Sequence, residues 1–245
     1  VRHNSQIESR FYVKNGGKQM VNYLRNFDFG QFIKQTPKDN RCCPDQVVGF
    51  MRNGQVKQVS RQNIEYQARR VRKIRKINGY ELHTINMEYS INNKLTRPVA
   101  IVLESPHDKE FNNPIGPAKD ATGRYFFLYF EELIKKSVIY KEINTGEHDI
   151  VLMNSIQYQC SLGKTLNYKT RIQRDINWIS CFEYENSCDI EKRLQAINPV
   201  ATINLCTKGN WNLQMILDRK INQRKNYTYG THPYSWTCEK NRFIR

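Results

Sequence analysis

Residues 99–107, VAIVLESPH, form the most informative stretch of the sequence: five apolar residues followed by a carboxylate, a serine and a proline turn. An apolar run of this length is typical of a strand that is buried on both faces of a parallel sheet. Similar runs occur at residues 150–154 and 200–206, and a more polar strand is predicted at residues 227–231. The sequence therefore predicts four strands.

Helical segments separate these strands. The polar and apolar pattern predicts helices at residues 122–136, 189–197 and 211–221. Strands that alternate with helices favour parallel pairing. The predicted fold class is therefore α/β, a three-layer αβα sandwich with a central, mainly parallel four-stranded sheet. We assign residues 98–245 to this domain and expect residues 1–97 to be a basic accessory region, an N-terminal extension or small domain of uncertain fold.

The composition indicates a globular protein. The chain has 245 residues and no apolar run near the roughly 20 residues that cross a bilayer, so no membrane-spanning segment is expected. The seven cysteines are an odd number in a chain that is long enough to build its own core. This favours reduced thiols and a cytoplasmic location.

The charge predicts a polyanionic partner. The net charge is +16, and the first 98 residues hold 19 basic and 7 acidic side chains against 20 and 16 in the remainder. The densest basic run, whose spacing would spread charge around a helix, consists of Arg69, Arg70, Arg72, Lys73, Arg75 and Lys76. A solvated surface helix is the alternative interpretation. The overall excess favours phosphate binding, because each neutralised phosphate releases counterions.

The ends of the predicted strands carry the candidate functional residues. In an open parallel sheet, ligands bind outside the carboxyl ends of the strands. The segments found there are Glu104-Ser105-Pro106-His107, Asn154-Ser155, Thr207-Lys208-Gly209 and His232-Pro233-Tyr234-Ser235-Trp236. A carboxylate, an amide and an imidazole would meet at one edge, where they could bind and polarise a small planar group.

These segments, together with a loop that contains Gly116-Pro117 and Thr122-Gly123, resemble the ordered motifs of the uracil-DNA glycosylase superfamily. The resemblance covers roughly residues 98–238 and depends on the whole ordered set. It implies a monofunctional DNA glycosylase, which flips a nucleotide out of the stack and hydrolyses the base–sugar bond with water. DNA, duplex or single-stranded, would be the partner.

The resemblance implies roles for the central side chains. Glu104, or Asp108 close by, would stabilise the cationic sugar and orient water, whereas Ser105 stands where some members have an aspartate. Asn154 would read the base edge, because an amide offers donors and an acceptor in one plane. His232 would donate a hydrogen bond to the base as it leaves as an anion.

Other residues would contact the DNA. Trp236 would fill the space that the extruded nucleotide leaves, because an indole can stack on the neighbouring bases. Tyr234 and Ser235 would contact backbone phosphate. Lys208 would lie near the DNA as well, and it is the nearest candidate for a Schiff base, although none is expected.

The base pocket is expected to differ from that of uracil-specific members. His107 stands where those members have a tyrosine that crowds the pyrimidine 5 position. Ser105 and His107 would line the base, and Phe111 or Phe126 would replace a missing stacking phenylalanine. Such a pocket could take uracil or a larger 5-substituted pyrimidine, such as a modified cytosine of viral DNA in antiphage defence.

Two other functions remain open on the sequence. A metal-dependent nuclease would need clustered carboxylates, for which Asp108, Glu110 and Asp120 are the candidates. A non-catalytic module would bind nucleic acid through residues 61–76.

The cysteines give little support for a cofactor. One branch of the superfamily holds an iron–sulfur cluster on four cysteines. The candidate ligands here are Cys42, Cys43, Cys160 and Cys188, and the adjacent pair among them has unsuitable spacing. We therefore expect neither a metal nor a cofactor.

Overall fold

The computed structural model describes residues 28–35, 42–58, 72–77, 80–85, 96–112, 115–162, 164, 167–183 and 190–245. The strands in these ranges are β1 (Gln46–Arg52), β2 (Gln55–Gln58), β3 (Arg72–Ile77), β4 (Tyr80–Ile85), β5 (Val99–Leu103), β6 (Glu147–Asn154), β7 (Ala201–Asn204) and β8 (Tyr227–Tyr229). The helices are α1 (Phe29–Gln35), α2 (Ala121–Lys136), α3 (Tyr140–Ile143), α4 (Tyr168–Glu183), α5 (Ile190–Ile197) and α6 (Leu213–Ile221). No helix in these ranges is long and apolar enough to cross a membrane.

All the described strands belong to one mixed sheet. Its order is β3-β4-β1-β6-β5-β7-β8, with β2 paired to β1 outside this path. The neighbours β6, β5, β7 and β8 run parallel, and β1 is antiparallel to β6. The predicted α/β class is confirmed, and the four parallel strands lie where the sequence predicts strands. The sheet is larger than the four strands expected, because four more come from residues 46–85.

Strand β1 belongs to the predicted accessory region, but it pairs with β6 of the predicted α/β domain. Its register runs from Gln46 opposite Leu152 to Arg52 opposite Glu147, with a shift after Val47. Met51 of this strand is buried in the core. Because β1 pairs in the interior of the sheet, it shares the core of the α/β unit.

The part of the basic run that the structure describes forms a strand. Arg72–Ile77 is strand β3, antiparallel to β4, and not the helix that the charge spacing predicts. The two strands are separated by Asn78-Gly79, a dipeptide that favours two-residue hairpin turns. Local hairpin pairing therefore overrides a spacing that also fits a helix.

Helices cover both faces of the sheet. On one face, Val99, Ile101 and Leu103 pack in a core cluster with the inner residues of α2 and α3. On the other face, Ala100 and Val102 pack with α4, α5 and α6. Strand β5 is therefore apolar throughout because both of its faces are buried.

Helix α4 is the largest element that the sequence does not predict. Asp175 and Asn177 lie beside Trp178 on its buried face. These two polar residues interrupt the apolar period that is expected of an amphipathic helix. Asn177 Nδ2 donates to the Cys160 carbonyl at 2.8 Å, and Trp178 Nε1 donates to the Glu104 carbonyl at 3.2 Å. These polar groups hold α4 against the loops that follow β5 and β6.

A buried ion pair joins the start of β1 to the end of β6. Arg193 of α5 is 1% exposed and Asp45 is fully buried. Arg193 Nη1 donates to both carboxylate oxygens of Asp45, at 2.7 and 2.9 Å. Its Nη2 donates to the carbonyls of Asn154 and Ser155, at 2.8 and 2.9 Å. One side chain therefore holds three separate segments together.

We expect Arg193→Met to lower the free energy of unfolding by about 3–5 kcal/mol, because it removes the ion-pair partner of the buried Asp45 carboxylate. Urea denaturation measures this loss. Lys192→Met, at an exposed position of the same helix, is the control and should change stability by less than about 0.5 kcal/mol. Adding Asp45→Asn to Arg193→Met should recover part of the loss. Equal midpoints for Arg193→Met and the control would contradict this account.

Candidate active site

A cavity of about 760 Å³ lies at the carboxyl ends of the parallel strands. Its walls contain Glu104 after β5, Asn154 at the end of β6, Thr207 after β7 and His232 after β8. The carboxylate, amide and imidazole that the sequence places at one edge therefore line the same cavity. Its volume is within the roughly 300–1,000 Å³ that is usual for small-molecule sites.

Glu104 is held by a charged group from α4. Its Oε1 lies 2.6 Å from Nη1 of Arg174, whose Nε lies 2.6 Å from the Asp175 carboxylate. Ser105 Oγ donates to Glu104 Oε1 at 3.3 Å. Burial raises the pKa of Glu104 to about 7, against the opposing charge of Arg174. Glu104 therefore changes its charge near neutral pH.

Asp175 joins Arg174 to the loop after β7. Its Oδ2 accepts hydrogen bonds from the backbone N–H and the side-chain amide of Asn210, at 2.6 and 3.1 Å. Gly209 has a φ of +57°, and a Cβ there would lie 2.6 Å from the same oxygen. The close approach therefore requires glycine, and it holds the β7 loop against α4.

The geometry of His232 favours a neutral hydrogen-bond donor. The Tyr234 backbone N–H donates to Nδ1 of His232 at 3.3 Å, so the proton of the neutral ring lies on Nε2. Burial and the positive charge of Arg174 lower the pKa of His232 to about 4. The ring is therefore neutral at pH 7, with one N–H to donate.

The histidine turn rests on the final residues of the chain. The Thr231 N–H donates to the Phe243 carbonyl, and the Arg245 N–H donates to the Tyr229 carbonyl, both at 2.9 Å. A Cβ on Gly230 would lie 2.3 Å from the Phe243 carbonyl oxygen. Glycine is needed here because the two backbones approach so closely.

Asn154 lies beside a second buried carboxyl group. Its Nδ2 donates to Glu110 Oε2 at 3.2 Å and lies 3.5 Å from the Cys43 sulfur. Both amide hydrogens therefore have acceptors, which leaves the side-chain oxygen as the group that Asn154 can offer a ligand. Burial raises the pKa of Glu110 to about 7, although the Asn154 hydrogen bond opposes the shift. The sequence assigns Glu110 only to a nuclease.

Four further predicted residues line the cavity. These are Ser105, His107, Asp108 and Tyr234. His107 Nδ1 contacts the Asp108 carboxylate, and both side chains are about half exposed. Tyr234 is 60% exposed. His107, Asp108 and Tyr234 therefore lie at the mouth of the cavity.

Three of the aromatic residues that the sequence assigns to base or DNA contacts are core residues. Trp236 is fully buried, donates from Nε1 to Thr231 Oγ1 at 2.9 Å and stacks on Phe126. Phe111 and Phe126 are buried as well and do not line the cavity. The prediction that Trp236 enters DNA is wrong, because tertiary packing uses its ring and its N–H group.

The other predicted DNA contacts have mixed outcomes. The Ser235 hydroxyl and N–H both donate to the His232 carbonyl, at 2.7 and 2.9 Å, so they close the turn and are not free for phosphate. Lys208 is exposed but does not line the cavity. Arg69 and Arg70 lie outside the described residues, and Arg72, Lys73, Arg75 and Lys76 are positions of β3.

Several cavity residues escape the sequence analysis. Arg171 and Arg174 come from α4, and Gln159 and Lys164 come from the segment between β6 and α4. The spacing of the two arginines places them on one helical face, a signal that is readable only once α4 is recognised. Nothing in the sequence distinguishes Gln159 from the chain's other glutamines.

Comparisons with protein-family models, curated proteins and solved structures find no match to this chain. The functional argument therefore depends on the geometry of the cavity and on the chemistry of its walls.

We expect Trp236→Ala to lower the free energy of unfolding by about 3–5 kcal/mol, because it leaves a large void beside Phe126. Tyr234→Ala, in the same turn but exposed, should cost less than about 0.5 kcal/mol. Chemical denaturation followed by circular dichroism compares the two variants. If Trp236→Ala were as stable as Tyr234→Ala, the indole would not be a core residue.

Proposed function

We propose that the chain is a monofunctional DNA glycosylase, which flips a damaged or modified pyrimidine into the cavity and hydrolyses its N-glycosidic bond with water. The observation that carries the proposal is that Glu104 and the neutral His232 line one cavity of suitable size. Both groups would assist N-glycosidic cleavage, because negative charge develops on the base while positive charge develops on the sugar. The net charge of +16 favours a polyanionic substrate.

In the proposed reaction, the bond between C1′ and the base nitrogen breaks, and its electron pair moves onto the base. Nε2–H of His232 donates to the base oxygen that gains the negative charge. The ionised Glu104 faces the cationic sugar and accepts a proton from the attacking water, whose oxygen bonds to C1′. That proton then passes to the base anion or to solvent.

Arg174 favours the protonation states that this reaction needs. Its positive charge lowers the pKa of Glu104, which favours the carboxylate, and lowers the pKa of His232, which favours the neutral imidazole. Asp175 acts as a positioning residue, because its contact with Nε helps to fix the guanidinium beside Glu104.

The mouth of the cavity suits the DNA backbone. Lys164 and Arg171 line it and would bind phosphates on either side of the flipped nucleotide. Tyr234 is exposed two residues after His232, so its ring could stack in the gap that the nucleotide leaves. We assign to Tyr234 the role that the sequence assigned to Trp236.

The proposed target is uracil or a 5-modified cytosine. His107 is half exposed at the mouth, and the cavity walls among the described residues contain no phenylalanine. This arrangement leaves room for a substituent at the pyrimidine 5 position. A modified cytosine of viral DNA would fit, which is in keeping with a role in antiphage defence.

The contacts of the candidate nuclease carboxylates argue against a shared metal site. Oδ2 of Asp120 lies 2.8 Å from Nζ of Lys109, and the Asp108 carboxylate contacts the His107 ring. Glu110 accepts a hydrogen bond from the side chain of Asn154. In the part of the chain that the structure describes, no group of three or more His, Cys, Asp or Glu side chains could hold a metal ion. A non-catalytic module is distinguished from the glycosylase by product analysis.

The proposal is tested by incubating the protein with duplexes that contain uracil or 5-hydroxymethylcytosine and measuring released bases by mass spectrometry. We expect alkali-labile abasic sites in otherwise intact strands. Glu104→Gln should lower the rate by about 10²–10⁴-fold and His232→Leu by about 10²–10³-fold, with DNA binding retained. Glu132→Gln, an exposed carboxylate on α2, is the matched control. Base release that both site variants leave unchanged would overturn the proposal.

The pH dependence of the rate gives a second test. Because Glu104 must be ionised and burial raises its pKa to about 7, activity should fall as the pH drops below about 7. His232, with a pKa of about 4, stays neutral and adds no step above pH 5. Arg174→Met removes the charge that lowers the pKa of Glu104, so the midpoint should move to higher pH. Lys192→Met should leave it unchanged, and a midpoint that Arg174→Met does not move would contradict the assignment.

A further inference from the structure

Gln159 presents an unused amide in the cavity wall. Its side chain lines the cavity and is 1% exposed. Neither Oε1 nor Nε2 has a hydrogen-bond partner within the described part of the chain. Buried polar groups are normally paired, and an unpaired one destabilises the free protein, so such a group needs an explanation.

The backbone on each side of Gln159 is anchored. The Cys43 N–H donates to the Gln157 carbonyl at 2.8 Å, and Asn177 Nδ2 donates to the Cys160 carbonyl at 2.8 Å. The Leu162 N–H donates to the carbonyl of Gln159 itself at 3.1 Å. The unpaired amide therefore sits on a segment that is fixed before any ligand arrives.

The side chain of Asn154 cannot donate a hydrogen bond to a base. Its two N–H bonds point to Glu110 and to the sulfur of Cys43, so it offers an acceptor. A pyrimidine edge presents at least one N–H donor next to an acceptor, as N3–H and O4 in uracil or N4–H and N3 in cytosine. A base bound to the Asn154 oxygen through its N–H still needs a partner for its acceptor.

We propose that Gln159 is the specificity-determining residue of this cavity, and that its amide pairs with the donor and acceptor edge of the flipped pyrimidine. The inference rests on the proposed function and deepens it. Nε2 of Gln159 donates to the acceptor of this edge, O4 in uracil or N3 in cytosine, while its Oε1 accepts from the neighbouring N–H. In cytosine the Asn154 oxygen can accept from the second N4–H. Ligand binding would thus satisfy an amide that is unpaired in the free protein.

The test uses Gln159→Leu, which keeps the approximate size of the side chain and removes both polar atoms. The control is Gln157→Leu, two residues earlier in the same segment and outside the cavity wall. Binding of free uracil and free cytosine is measured by ligand-observed NMR, base release from the uracil and 5-hydroxymethylcytosine duplexes by mass spectrometry, and the thermal midpoint by circular dichroism.

We expect Gln159→Leu to weaken base binding and kcat/KM by about 10- to 100-fold and to change the ratio of the two duplex activities. Its thermal midpoint should be equal to that of the wild type or higher, because no buried amide is left unpaired. Gln157→Leu should change neither binding nor the activity ratio. A structural role for Gln159 would instead lower the midpoint.

Base affinity that is equal in the wild type and Gln159→Leu would overturn the inference, as would no binding of either base to the wild type. Failure of the proposed function looks different. If the wild type binds a base in a manner that depends on Gln159 but releases none from either duplex, the glycosylase assignment fails and the recognition role of Gln159 stands.

Discussion

The contact between Arg193 and Asp45 is the interaction on which the arrangement of the sheet edge depends. The guanidinium binds one carboxylate and two backbone carbonyls at the end of β6. A buried charge is tolerated when it is paired this completely, and it is costly otherwise. The segment before β1, the end of β6 and helix α5 are therefore fixed relative to one another. The side chain of Asn154 enters the cavity from a backbone that this contact holds in place.

The titration of the cavity follows from how few positive charges neutralise its buried carboxyl groups. One guanidinium serves two carboxyl groups, since Arg174 lies between Glu104 and Asp175. Glu110 has a hydrogen-bond donor beside it but no ion-pair partner among the contacts described above, and burial raises its pKa to about 7. The charge of the cavity can therefore change within the physiological range of pH. This property is common at functional sites and unusual in a purely structural core.

The sequence predicts best where one physical cause decides the structure. Strand β5 was predicted with its observed bounds, because an apolar run that is buried on both faces has few alternatives. Parallel strands bring their carboxyl ends together, so the sequence alone predicts that Glu104, Asn154 and His232 share one site. The sequence pattern does not predict helix α4, because the buried face of this helix holds polar groups that bind distant loops. The same tertiary packing decides that Trp236 lies in the core and that Arg174 reaches Glu104, and no local pattern encodes either result.

The final residues of the chain protect the sheet as well as the histidine turn. Strand β8 ends the sheet on one side, and the backbone groups of Tyr229 and Thr231 pair with Arg245 and Phe243. An edge strand that is not covered exposes free N–H and C=O groups, which can pair with a strand of another molecule and start aggregation. Residues 243–245 form hydrogen bonds with these groups. Loss of these few residues would create a self-associating surface and would also release the loop that carries His232.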